Sequence, residues 1–311
     1  MGRVLKPQNF SATKASFWFQ ALDPLVLPAA KGNLFRGLFG VWWQRQGVAS
    51  LSWERLFRGK IDDPRAHAEG IQFLPNWTLS VSDNRTYLQS GEKVRVDLTI
   101  VGKELQVTLM DFLLALETGS RNWIVQLGPK EHLGRAAFLG ATTFDPSQGT
   151  DTWFFDPEDD FIAEPVIVDW EFVKILSAQL DPRLVTIEFL TPTRIREQGK
   201  LIDDPSFPIV FESILRRSLA ILRYHCGEEL EINTADLLVR ADNVQMVEDQ
   251  TKWIDWGRTS HSQKTHMRLG GFTGKVSYQG KLKPFLPYLA LAQIIGIGKG
   301  TTFGNGVVSV E

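Results

Sequence analysis

The window Arg258-Thr259-Ser260-His261-Ser262-Gln263-Lys264-Thr265-His266-Met267-Arg268 is the most donor-rich stretch of the chain. It holds two histidines, three cationic side chains and four hydroxyls. Histidine titrates near neutrality and serves as proton acceptor or proton donor. Lysine and arginine stabilise negative charge that develops on a phosphoryl group. These types suit an internal transesterification of RNA. A ribose 2′-hydroxyl attacks its own phosphodiester, a base takes the hydroxyl proton, and an acid protonates the leaving 5′-oxygen. The products are a cyclic phosphate and a 5′-hydroxyl, and no metal is required. His261 is the first candidate for proton transfer and His266 the second, with Lys264 as charge stabiliser. The alternative reading of the window is a solvated surface loop.

Other chemistries find less support. The spacing His261-x4-His266 is not the i, i+4 zinc pair, and no third ligand is evident, so no metal site and no cofactor are expected. No G-x-S-x-G elbow occurs. Asp62-Asp63, Asp159-Asp160 and Asp203-Asp204 read as turns. His67 and His132 lie in charged, solvated surroundings, and His225 ends an apolar helical pattern, where it would face the negative end of the helix dipole. The single cysteine, Cys226, rules out a disulfide framework and reads as a buried thiol. The net charge of −2 supplies no global attraction for nucleic acid, so binding would depend on a local basic face. With no apolar run of ~18 residues and no signal-peptide pattern, a cytoplasmic protein without membrane contact is expected.

A second candidate site is Gly296-Ile297-Gly298-Lys299-Gly300-Thr301-Thr302-Phe303-Gly304-Asn305-Gly306. Glycines permit positive φ and close backbone approach, and successive N–H groups make anion-binding concavities. Lys299 and the hydroxyls of Thr301 and Thr302 suit phosphate. The order is not that of a Walker loop, and a strand, not a helix, follows. The alternative is a tight glycine-rich turn without a ligand. Arg194 and Arg196 precede the next helix and are expected on the same positive face, together with Lys264, Arg268 and Lys299. Trp253 and Trp256, beside Arg258, offer a base-stacking surface.

The elements that must position these residues are legible in outline. Ala15–Leu22 is strand-like. Gly32–Gln46 reads as a helix, with Leu34, Leu38, Val41 and Trp42 as its apolar stripe, Asn33 as its cap, and Arg36 and Arg45 on the other side. Leu51–His67 reads as a charged loop. Gly70–Val81 carries an edge or bulged strand, and Lys93–Ile100 alternates with Val94, Val96, Leu98 and Ile100 on one face. Gln106–Glu117 suits a buried helix stopped by Gly119, and a β-like run, Phe138–Phe144, follows across Gly140. Ser147–Asp160 is polar, acidic and turn-rich, so a domain boundary is expected between ~150 and 180. Leu184–Leu190 is a strand, Pro208–Arg223 a helix with a Val210, Ile214, Leu215, Leu219, Leu222 stripe, and Glu228–Val244 a loop or short strand. Met246–Trp256 and Gly271–Tyr278 are strands, and Phe285–Ile295 is a helix. The first half reads strand–helix–strand–strand, as in a ferredoxin-like unit, and the second reads β–α–β–β–α–β, with no sequence repeat visible between them.

Leu269-Gly270-Gly271-Phe272-Thr273-Gly274, Gly280 and the Gly296–Gly306 loop resemble the C-terminal signature of the sixth CRISPR-associated family, the endoribonucleases that process CRISPR repeat RNA. Trp256–Met267 and Thr186–Gly227 resemble that family too, while Gly32–Gly40 and Ser90–Gly119 match it loosely. The resemblance implies an α+β fold of two tandem ferredoxin-like (RRM-like) domains, 1–165 and 180–311, with the glycine-rich loop in the second. It implies metal-independent cutting of CRISPR precursor RNA within the repeat, with Arg258, Arg268, Gly296, Gly298, Lys299, Gly300, Thr301, Gly304, Arg194 and Arg196 binding RNA. Other subunits of a CRISPR effector complex are possible partners. The family carries its catalytic histidine in or near the first helix, and Gly32–Gln46 has none. A non-catalytic repeat-binding subunit is therefore a second reading, and an interaction module sharing the fold a third.

Overall fold

The computed structural model describes residues 5–46, 51–71, 73–129, 131–159, 161–197, 200–255, 257–260, 265–268 and 270–311. For residues 46, 161, 197, 257–260 and 265–268 it describes the backbone alone. The main elements of the first half are β1 (Ser11–Ala21), α1 (Lys31–Gln46), β2 (Trp77–Ser80), β3 (Lys93–Val101), α2 (Leu105–Gly119), β4 (Gly134–Asp145) and β5 (Thr150–Asp156). Those of the second are α3 (Trp170–Ala178), β6 (Leu184–Thr193), α4 (Phe207–Tyr224), α5 (Thr234–Ala241), β7 (Gln245–Asp249), β8 (Gly271–Gln279), α6 (Leu286–Ile295) and β9 (Val308–Val310).

Two main antiparallel sheets result, with three two-stranded ribbons beside them among the described residues. The first runs β2-β3-β1-β4-β5 and the second β7-β8-β6-β9. In each, the first strand of a β–α–β–β–α–β unit lies between the third and fourth strands, which is the ferredoxin-like arrangement. The fold is α+β. The alternation in β3 fixes its register. Val94, Val96, Leu98 and Ile100 are all buried, and β3 pairs with β1 from Lys93 opposite Gln20 to Val101 opposite Ala12.

Helix α1 packs one residue out of phase with its expected stripe. Phe35, Phe39, Trp42 and Trp43 are buried, while Val41 is 45% exposed. Both sets repeat at i, i+4, i+7, i+8, and the larger aromatic set captures the core. Phe39 and Trp43 each meet Phe112 edge-on. Asn33 lies inside the first turn, so it does not cap the helix. Gly119 ends α2 where any Cβ would overlap the Trp42 ring, at 2.0 Å.

Several loops expected from the sequence are ordered instead. Residues 54–58 form a π-helical turn closed by Gly59 at positive φ, and Pro64–Ala68 form a short helix capped by Asp63. Thr150–Asp156 add a strand despite their polarity, since β5 faces solvent along much of its length. Thr234–Ala241 form α5, capped by the Asn233 side chain. Met246–Trp256 is divided into β7 and a short strand, Lys252–Ile254, which both pair with β8. No described helix is long and apolar enough to cross a membrane.

The halves meet along a polar seam. Arg223 pairs with Glu69, Tyr224 donates to the same carboxylate at 3.0 Å, and Arg65 pairs with Glu229 at 2.5 Å. His225 lies in this seam with Nε2 2.7 Å from the Leu74 carbonyl. Burial, not the helix dipole, governs the ring and pushes its pKa down to about 4. Between pH 6.5 and 4 the unfolded chain therefore binds a proton that the folded seam refuses, so stability falls as pH drops through that window. By pH 5 the loss relative to pH 7.5 is about 2 kcal/mol. Thermal melts at the two pH values check this: His225→Gln is expected to remove that part of the acid sensitivity.

Candidate functional site

The glycine loop joins α6 to β9 and is built around left-handed backbone. Gly296, Gly298, Gly300, Gly304 and Gly306 all have φ between 69° and 88°. At Gly298 a Cβ would lie 2.4 Å from the Arg194 carbonyl oxygen, and at Gly306 1.9 Å from that of Ile297. Both positions are therefore closed to any side chain. The loop is fastened to the end of β6: Lys299 N–H donates to Arg194 O at 2.9 Å, and Gly306 N–H to Pro192 O at 3.1 Å. Ile297 N–H donates to Gly306 O at 2.8 Å, across the loop. Much of the expected concavity of free N–H groups is thus spent on holding the loop's own shape.

The hydroxyls are spent in the same way. Thr301 is 4% exposed and accepts from Arg217 Nη2 at 3.2 Å. Thr302, equally buried, accepts from Arg36 Nε at 3.2 Å. Arg36 also donates to Phe57 O at 2.7 Å, and its guanidinium lies 4.0 Å from the centre of the Phe303 ring. It does not project to the far side of α1 but binds the helix to the loop. Gly32 completes the contact, since a Cβ there would lie 2.3 Å from Phe303 O. The loop is therefore wedged between the end of β6 and the start of α1. Arg217 anchors its back, donating to Ile295 O at 3.0 Å, and burial without a carboxylate partner lowers its pKa to about 10.

Cations gather on this frame. The Lys299 pKa is lowered by burial and then by the charges of Arg216, Arg217 and Arg196. That of Arg194 is lowered by burial and by Arg196, against a smaller opposing effect of Asp255. Arg194, Arg196 and Lys299, expected together from sequence, do converge. Arg216 and Arg217 join them, and the visible signal for these two was an arginine pair on α4 flanked by core positions. Two carboxylates offset part of this charge, Glu212 at 3.9 Å from Arg216 and Asp255 acting on Arg194; the remaining like charges repel one another, and an anion relieves the repulsion.

The described parts of the donor-rich window are two short paired strands, the arm. Gly257–Ser260 pair with Thr265–Arg268, setting Arg258 opposite Met267 and Thr259 opposite His266. His261, Lys264 and Trp256 lie outside the described residues, and for Arg258, His266 and Arg268 only the strand backbone is described. Asp255, which acts on Arg194, stands at the base of the arm. Trp253 is 41% exposed on the adjoining short strand. Of the other histidines, His67 places Nε2 2.9 Å from Ile61 O, and His132 is exposed.

Residues 187–308 match the family model described as CRISPR-associated endoribonuclease Cas6. Through this segment, about two fifths of the chain, the protein is similar to the Cas6 family. The segment includes the glycine loop, the end of β6 and the arm. A CRISPR-associated endoribonuclease Cas6 of Streptococcus thermophilus is 23% identical over 142 residues, 45% of this chain and 56% of that protein, so the match spans just over half of the curated relative. Among solved structures, a Cas6 product complex from Thermus thermophilus superposes with a TM-score of 0.62 at 16% identity, covering 96% of this chain and all of the other. A partial Cas6-RT-Cas1–Cas2 complex superposes with a TM-score of 0.60 at 11% identity, covering 98% of this chain and 46% of that one. At these identities the superpositions show a shared fold.

Proposed function

We propose that the chain is an endoribonuclease that cuts CRISPR precursor RNA within the repeat. The observation that carries this reading is the convergence of Arg194, Arg196, Arg216 and Lys299 on a glycine loop that lies in the family-matched segment. A polyanion crossing the loop finds four cations that Glu212 and Asp255 offset only in part. The reaction is attack by the ribose 2′-hydroxyl, giving a cyclic phosphate and a 5′-hydroxyl, without a metal. His261 serves as base, with His266 in reserve and Lys264 as charge stabiliser. Other CRISPR proteins are candidate partners, since a structural neighbour is a Cas6-RT-Cas1–Cas2 complex.

A second reading is a repeat-binding subunit that does not cut. The absence of histidine from α1 favours it. Incubating the chain with labelled RNA from its own CRISPR repeat separates the two, because both bind and only the first cuts.

Binding at the loop has its own test. Lys299→Ala is expected to weaken repeat RNA binding and to reduce the slope of log affinity against log salt by about 0.7–0.9, one phosphate contact. A titration across salt concentrations reads both quantities. An unchanged slope and affinity would remove Lys299 from the RNA path.

A further inference from the structure

The two sheets differ on the faces that turn away from their helices. In β1 and β3 the core takes Phe17, Phe19, Val94 and Val96, so Trp18 and Arg95 share the outer face, directly opposite each other. On β4, Gly140 stands beside Trp18, and on β5, Trp153 stands opposite Thr142. Trp18 Nε1 donates to Thr142 Oγ1 at 3.1 Å, and the Arg95 guanidinium lies 5.6 Å from the centre of the Trp18 ring. In the second sheet, the outer positions at the middle of β6 and β8 are Thr186, Glu188, Lys275 and Ser277. These four satisfy one another, with Thr186 Oγ1 and Ser277 Oγ 2.8 Å apart and Lys275 3.3 Å from Glu188, and they carry no ring.

The outer face of the first sheet is a trough. Arg95 bonds Asp97 on its own strand at 2.6 Å and Asp151 on β5 at 2.8 Å. Three strand steps lead from β3 to β5, about 14 Å in a flat sheet. One arginine spans them because the sheet curls. Trp153 stands on the β5 wall and rests on Gly140. At φ 122°, a Cβ on Gly140 would lie 2.8 Å from the indole Cζ3 and 2.5 Å from Phe155 O. The glycine thus keeps open the space that the ring occupies. The indole is held, yet it is 47% exposed. A flat ring already fixed and still half bare loses little freedom when a second ring covers it.

Charge and continuity name the occupant. Lys14, Lys93 and Arg95 share this face with Asp97 and Asp151. Asp97 is buried beneath Ser16, Lys14 and Arg95, so the charge that a ligand meets is mainly positive. The glycine loop adjoins the edge of the same sheet: a Cβ on Gly304 would lie 3.7 Å from the carbonyl oxygen of Leu79 on β2. We propose that the trough binds single-stranded RNA, with one base stacked on the Trp153 indole, as a continuation of the path that crosses the glycine loop. The proposal rests on the RNA reading of that loop. Aromatic rings on a sheet take up splayed, unpaired bases, and such stacking tolerates any base. The ligand is therefore an unpaired stretch of the same transcript.

Trp153→Ala tests this on labelled repeat RNA extended at both ends by its own flanking transcript. Affinity is expected to fall by about 5- to 100-fold, and Trp153→Phe is expected to stay within about threefold of the parental value. Stacking releases no counterion, so the slope of log affinity against log salt is expected to remain parental, in contrast to Lys299→Ala. The melting temperature of Trp153→Ala is expected within about 2 °C of the parental one, because half of the lost ring faces solvent. Parental affinity in Trp153→Ala overturns the proposal, leaves the glycine-loop reading standing and opens the face to a protein partner. A weakened affinity that comes with a lower melting temperature and is shared by Trp153→Phe assigns the ring to the fold and overturns the proposal as well. If the parental chain does not bind the extended RNA at all, the RNA reading itself fails, and the proposal with it.

Discussion

Gly298→Val is expected to destroy tight RNA binding and to destabilise the protein by about 3 kcal/mol or more. Two costs combine. At φ 71° a β-branched residue is strained on its own account. Its Cβ would also meet the Arg194 carbonyl oxygen at 2.4 Å, a backbone atom that cannot step aside without moving the end of β6. Relief by lifting the loop breaks the Lys299 N–H bond to Arg194 O and separates the two cations. Gly37→Ala is the matched control. It lies in α1 at ordinary φ, with nothing within 4 Å of an added Cβ, so it is expected to be neutral or stabilising by about 0.5–1 kcal/mol. Melting curves and RNA titrations on the pair check the contrast. Equal behaviour of the two variants would show that the loop's backbone geometry is not required.

The second large effect concerns proton transfer. His261→Ala is expected to slow single-turnover cleavage by about 100- to 10,000-fold while leaving RNA affinity nearly intact. The His261→Ala, His266→Ala double change is expected to leave almost no cutting. The reasoning is one of supply. Helix α1 offers no histidine, and His225 is committed to the Leu74 carbonyl and held neutral by burial. His67 is tied to the Ile61 carbonyl. The arm springs from Asp255, beside Arg194, and carries the remaining concentrated histidines. Parental rates in the double variant would pass the role to His67 or His132.

The second ferredoxin-like unit was legible because its strands and helices are long, strongly patterned and punctuated by glycine. The polar strand Thr150–Asp156 was not, because one-sided solvent exposure leaves a strand little apolar signal. Helix α5 was hidden by its length, eight residues, too few to establish a period. In α1 the composition permitted two equivalent stripes, and Phe112 on a distant helix decided between them. The loop's glycines and Lys299 could be read directly. The fate of Thr301 and Thr302 could not, since Arg217 and Arg36 reach them from 84 and 266 residues away.

The central claim is that this chain cuts repeat RNA by 2′-hydroxyl attack at the glycine-loop face. Its most direct test is a single-turnover incubation with labelled RNA from the chain's own repeat, in EDTA, followed by analysis of the product ends. The account predicts one cut, a cyclic phosphate on one fragment, a 5′-hydroxyl on the other, and no cut when the nucleotide before the break lacks its 2′-hydroxyl. Binding without cutting, or products with a 5′-phosphate, would contradict it.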